Sequence, residues 1–110
     1  MPASVSDYWQ LCRRYISDAL QRPGMHLTSL DQLEWQLHGH GVAFGQLDLL
    51  RTNEPSFNRA FGEWLEARYQ CSTARGWADA VESEAAAMQV EPLVLFRESV
   101  NAFWTEWAAD

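Results

Sequence analysis

The stretch SVSDYWQLCRRYISDALQR, residues 4–22, decides what kind of fold this chain forms. Val5, Tyr8, Trp9, Cys12, Tyr15, Ile16, Ala19 and Leu20 recur at spacings of three and four. At about 100° per residue these side chains collect on one face of a helix. Arg13, Arg14, Asp18 and Gln21 fall mostly on the other side. Ser4 can cap the N-terminus, and Asp7 stands in the first turn, where a carboxylate suits the helix dipole. Pro23-Gly24 stops the helix.

The same period continues outward along the chain. Residues 29–38 predict a shorter second helix, with Ser29 and Gln32 in capping-box spacing and Gly39 as the C-terminal stop. Leu30, Leu33 and Leu37 make its stripe, and Trp35 lies off it. An off-stripe indole is either covered by another element, the commoner fate of a large aromatic, or held at a surface where something binds. Residues 42–50 are apolar enough for a third helix starting near Gly41, although Gly45 inside it costs about 1 kcal/mol relative to Ala. TNEPS, residues 52–56, reads as a loop.

Helical spacing then resumes over 56–71, capped by Ser56, with Phe57, Ala60, Phe61, Trp64, Leu65 and Tyr69 in register. Residues 73–89 follow, with Ala74, Trp77, Ala78, Val81, Ala85 and Met88 on one side, Asp79 and Glu82 opposite, and Glu84 at the margin. Pro92 suits the first position of a final helix. Residues 90–96, VEPLVLF, could instead form a short strand. On the helical reading Leu93, Phe96, Val100, Phe103, Trp104 and Trp107 share a stripe, while Leu95 points away and Val94 lies at its side. Such an apolar first turn is usually buried among several neighbours, and an exposed version of it would be a docking site. No alternating run is long enough to demand a strand, and there is no internal repeat or linker. The expected architecture is one all-α domain over 1–110, a compact bundle or irregular array of five or six helices.

Composition bounds the function. The 110 residues include six Trp and are 47% apolar, ample for a core without disulfide or metal. The net charge is −7, and it is unevenly spread. Residues 1–75 carry eight acids against seven arginines, and residues 76–110 carry seven acids against Arg97 alone. This argues against direct nucleic-acid binding, which needs cations to displace the phosphate counterions. It favours either solubility or a basic protein partner. No secretory signal and no membrane-spanning run is read from the sequence, so the expectation is a cytoplasmic chain with Cys12 and Cys71 reduced. Cys12, on the apolar stripe, suits a small buried hydrophobe better than a reactive thiol.

The motifs that could carry chemistry are thin. Gly39, Gly41 and Gly45 spell G-x-G-x-x-x-G, but the dinucleotide fingerprint works only between a strand and a helix, and here a helix precedes it. Glu34 and His38, four apart, could meet one metal with His40 just beyond. Zinc sites want three or four converging ligands, and His26 or a cysteine could join only through the fold. The plainer expectation sets His38 at a helix C-terminus with Glu34 as its i,i+4 partner. The sequence has no nucleophile elbow, no H-E-x-x-H and no phosphate loop. Glu63 and Glu66, on an outer helix face, are expected to be solvated rather than catalytic. A non-enzymatic protein with no cofactor and no metal is the expectation.

What remains is the acidic C-terminal third. Asp79, Glu82, Glu84, Glu91, Glu98 and Glu106 could present a field of carboxylates to the Arg and Lys of a partner, with Trp35 as an aromatic anchor. In size, charge and the acidic 76–110 segment the chain resembles bacterial immunity proteins and antitoxins, small acidic intracellular proteins that often neutralise a nuclease toxin by covering its basic cleft. The resemblance implies a basic toxin domain as partner. It covers no defined motif, so no functional residue is carried over from it. The second expectation is a helical adaptor or regulatory subunit that docks its partner in an apolar groove.

Overall fold

The first helix, α1, spans Asp7–Gln21 in the computed structural model, which describes residues 7–21, 30–40, 47 and 54–108. Its stripe sinks as the spacing predicts. Tyr8, Trp9, Cys12, Ile16 and Ala19 are buried, and Tyr15 and Leu20 are packed against the core. Four further helices follow: α2, Leu30–His40; α3, Phe57–Tyr69; α4, Trp77–Met88; and α5, Pro92–Ala108. No strand occurs among the described residues, so the chain is an all-α bundle. α4 packs against α2, α3 and α5; α1 lies on α2, and α3 lies on α5.

One contiguous core joins all five helices, and its centre is aromatic. Phe61 on α3 stacks on Phe57 (5.2 Å between ring centroids) and meets Trp77, Phe96 and Phe103 edge-on. Trp77 of α4 stacks on Phe96 of α5 at 5.1 Å, and Trp9 of α1 stacks on Phe103 at 6.2 Å. Burying each such ring contributes about 1.5–3 kcal/mol, and well-oriented ring pairs add about 0.5–1.5 kcal/mol more.

The polar atoms carried inward are matched. The Tyr8 hydroxyl accepts the Phe57 N–H at 3.0 Å, and the Trp9 indole N–H donates to the Pro55 carbonyl at 3.1 Å, so α1 fixes the start of α3. Tyr69 and the buried Ser99 pair their hydroxyls at 3.2 Å, and the Tyr15 hydroxyl bonds Gln36 on α2. Among the described residues no buried side-chain nitrogen or oxygen lacks a partner. A fold whose buried polar groups are satisfied avoids the 1–3 kcal/mol, roughly, that each orphan would cost.

Several expectations are corrected. Gly39 does not end α2, which runs to His40; a Cβ at that glycine would meet nothing within 4 Å. The helix expected from residue 73 starts only at Trp77. Glu66 holds the Thr73 N–H and hydroxyl (3.2 and 2.7 Å), and Gly76 sits at φ +98°, so the chain turns before it can coil. Ala74 is therefore exposed in a turn, and Met88, at the far end of α4, is 50% exposed. Leu95 is buried at 2%, not turned outward. With neighbours on two sides, α5 buries an arc wide enough to include Leu95, Phe96, Ser99 and Val100.

Other expectations hold. Residues 90–96 form no strand, and Pro92 opens α5. Ser56 caps α3, accepting the Arg59 N–H at 3.3 Å. The expected helix at 42–50 lies outside the described residues apart from Leu47, which is exposed. The caps at Ser4 and Ser29, the stop at Pro23-Gly24, Gly41 and Gly45, His26, and the side chains of His40 and Trp107 lie outside them as well.

Candidate functional site

The acidic third of the sequence folds into a hairpin of α4 and α5. Gln89 takes a left-handed conformation (φ 59°) and ends α4, its N–H bonding Ala86, while Val90 N–H bonds Ala85 at 3.0 Å. Those bonds satisfy the last carbonyls of the helix and turn the chain within three residues. Glu91 then lends its carbonyl to the Leu95 N–H at 3.1 Å, starting α5. The apolar stripes of both helices face the core, which leaves their acids on the outside.

The candidate carboxylates fall into two groups. Asp79 and Glu82 on α4, Glu91 in the turn and Glu98 on α5 are exposed. Among the described residues none of these four forms an ion pair. Glu84 is half-buried beside Cys71, where its charge adds to burial in pushing the thiol above its usual range. Glu106 is committed elsewhere. It accepts the Trp64 indole N–H at 3.0 Å and approaches the Arg68 guanidinium at 3.5 Å, while Arg68 lies 5.1 Å over the Trp64 ring. That cluster ties α5 to α3.

Apolar side chains stand among the free acids. Met88 (50% exposed), Val90 (39%) and Val94 (41%) gather at the turn end of the hairpin. Val94 and Glu98, four apart, line one strip of α5, and Glu91 stands in the turn just before it. Of the two positions open to an off-stripe indole, Trp35 takes the exposed one. It is 66% exposed, with His38 edge-on at 5.8 Å as its ring neighbour on the same helix.

Glu34 was read in the sequence as a partner of His38 or a metal ligand, and the structure gives it a different role. Its carboxylate accepts the backbone N–H groups of Trp77 (3.3 Å) and Ala78 (3.1 Å), capping α4 from α2. The residue at the cap position itself, Gly76, has no side chain to do so. Asn58 of α3 completes the junction, donating to the Glu34 carbonyl at 3.2 Å and accepting the Trp77 indole N–H at 2.8 Å. Burial raises the Glu34 pKa against the opposing pull of those two N–H groups, and Asp31 and Asp79 add to the rise. Among the described residues no three His, Cys, Asp or Glu side chains converge as metal ligands do.

The thiols are poor nucleophiles in this setting. Burial pushes Cys12 up to about 11, and Tyr8 beside it is raised as well. A thiol in that range is protonated near neutral pH, and the thiolate is the reactive form.

Spacing within one helix did not reveal the Glu34 cap or the Glu106–Trp64–Arg68 cluster, because each joins residues far apart in the chain. One signal does exist for the first. A helix that opens directly behind a glycine has no side chain at its cap position, which leaves its first N–H groups open to water or to an acceptor from elsewhere in the fold.

No family model, curated protein or solved structure matches the chain. Among the described residues no helix is long and apolar enough to cross a membrane.

Proposed function

We propose that the chain is a non-catalytic binding protein whose α4/α5 hairpin meets a basic protein and occludes it, as an immunity protein covers a nuclease-type toxin. The observation that carries this reading is the set of exposed, unpaired carboxylates Asp79, Glu82, Glu91 and Glu98 around the exposed Met88, Val90 and Val94. Unpaired acids steer a basic partner and pair with its Arg and Lys on contact. An apolar centre within a polar rim is the arrangement in which a few anchors supply most of the binding free energy. Trp35, on the helix packed against α4, offers an aromatic contact besides.

The test is a pull-down from the native host with the wild-type chain and a variant carrying Asp79→Asn, Glu82→Gln, Glu91→Gln and Glu98→Gln. The wild type should retain a basic protein that raised salt releases, and the variant should lose it. Adding back the chain should then suppress the captured protein's activity. Equal capture by both chains, or a chain that stays a partnerless monomer, refutes the reading.

A further inference from the structure

The sulfur atoms of the described residues sit in contrasting settings. Cys12 is sealed in the core at 0% exposure. Cys71 is half-buried, and its thiol points at the Leu65 carbonyl, 3.7 Å away. Burial raises both thiols, and the charge of Glu84 adds to the rise at Cys71. Peroxides attack the thiolate, so both cysteines are held in their slow form. Met88 is the opposite case. It is 50% exposed, and a thioether reacts through a lone pair that needs no deprotonation.

The place of Met88 in the fold makes its oxidation a change of surface rather than an unfolding. It stands at the end of α4 and belongs to neither the buried core nor the side chains packed against it. The last carbonyls of α4 are met by the Gln89 and Val90 N–H groups, so backbone and not the Met88 side chain holds that end. Val90 and Val94 complete the exposed apolar patch, and of these side chains Met88 alone has an atom that peroxide oxidises. One added oxygen turns a flexible apolar side chain into a polar one.

We infer that Met88 is a reversible oxidation site whose sulfoxide turns the apolar patch of the α4/α5 hairpin polar while the bundle stays folded. With hydrogen peroxide as oxidant, a sulfur lone pair attacks one peroxide oxygen and the O–O bond breaks. The new S–O bond keeps that oxygen, and its proton leaves with the other oxygen as water. Sulfur is oxidised and the peroxide is reduced. A methionine sulfoxide reductase reverses the step with a dithiol, which becomes a disulfide as the oxygen leaves as water. A consequence for binding rests on the function proposed above; the site itself does not.

The test uses the full chain and Met88→Leu, each compared with itself before and after hydrogen peroxide. Peptide mass mapping places every added oxygen, including any at Met1 and Met25, which lie outside the described residues. Circular dichroism follows the helices, and retention on a phenyl column follows exposed apolar surface. The wild type should carry the sulfoxide at Met88, keep its helical signal and elute earlier, and the Leu variant should elute where it did before. Sulfoxide reductases should restore the wild-type retention. A Met88 that stays a thioether, an equal shift in the Leu variant, or a loss of helical signal confined to the wild type overturns the inference. In the pull-down, wild-type capture of the basic protein should fall about tenfold on oxidation, the scale of one apolar anchor. Undiminished capture by the oxidised chain overturns the consequence for binding. No capture even before oxidation refutes the proposed function, and the map and the column still decide the site.

Discussion

Glu34 and Glu98 are both glutamates on amphipathic helices, yet one serves the fold and the other does not. Glu34 is half-buried and spends both oxygens on the first N–H groups of α4. Glu98 is exposed on α5 and forms no ion pair among the described residues. The acids divide along that line. Glu34 and Glu106 join helices, whereas Asp79, Glu82, Glu91 and Glu98 face outward with their charge uncompensated. An acid that satisfies a buried donor is held by stability, and one that satisfies nothing inside is free to meet something outside.

The sharpest way to break the contrast is to close the seat that Glu34 occupies. A Cβ at Gly76 would lie 2.5 Å from Glu34 Oε2 on a backbone at φ +98°. Gly76→Ala should therefore destabilise by about 2–4 kcal/mol in chemical denaturation, combining backbone strain with loss of the cap. Glu34→Ala leaves two helix N–H groups without their acceptor and should cost about 1–2 kcal/mol. Ser56→Ala removes the local cap of α3 and should cost about 1 kcal/mol. Comparing these last two separates a borrowed cap from a local one.

On the other side of the comparison, Glu82→Gln and Glu98→Gln should each move stability by no more than about 0.5 kcal/mol. Their effect should appear in the rate of partner association and its dependence on salt. Glu106→Gln belongs between the groups: its contacts are exposed, so the loss should stay within about 1 kcal/mol. A loss at Glu82 or Glu98 as large as that at Glu34 would erase the distinction.

The smallest effects are read through pH. The folded pKa of Glu34 is raised, so its stabilising contribution is present at low pH and declines as pH rises through that folded value. Relative to wild type, Glu34→Gln should gain stability between acid and neutral pH. Glu66 behaves oppositely. Its bonds to Thr73 lower its pKa, so its contribution is present above the ordinary glutamate value and is lost as pH falls through the lowered one. Resonance titration of the two carboxyls should place them on opposite sides of the ordinary value.

The helices were legible because their cause is local. The three- and four-residue spacing that joins Tyr8, Trp9, Cys12 and Ile16 is a property of consecutive residues, and so is the Ser56 cap. The outward position of Asp79, Glu82 and Glu98 followed from the same period. Leu95 was misplaced because a helix wheel shows one stripe, whereas the buried arc of α5 depends on how many neighbours it has. Trp35 stayed open between a covered and an exposed position, because periodicity only puts it off the stripe and packing decides what lies over it.

The sequence by itself determined an all-α chain, the main buried stripes and a strongly acidic last third, since periodicity and charge are written residue by residue. Tertiary structure decided which acids remain unpaired. Glu34 meets Trp77 and Ala78 across more than forty residues, and Glu106 meets Trp64 across a similar distance. Such pairs form only when packing brings separate helices together.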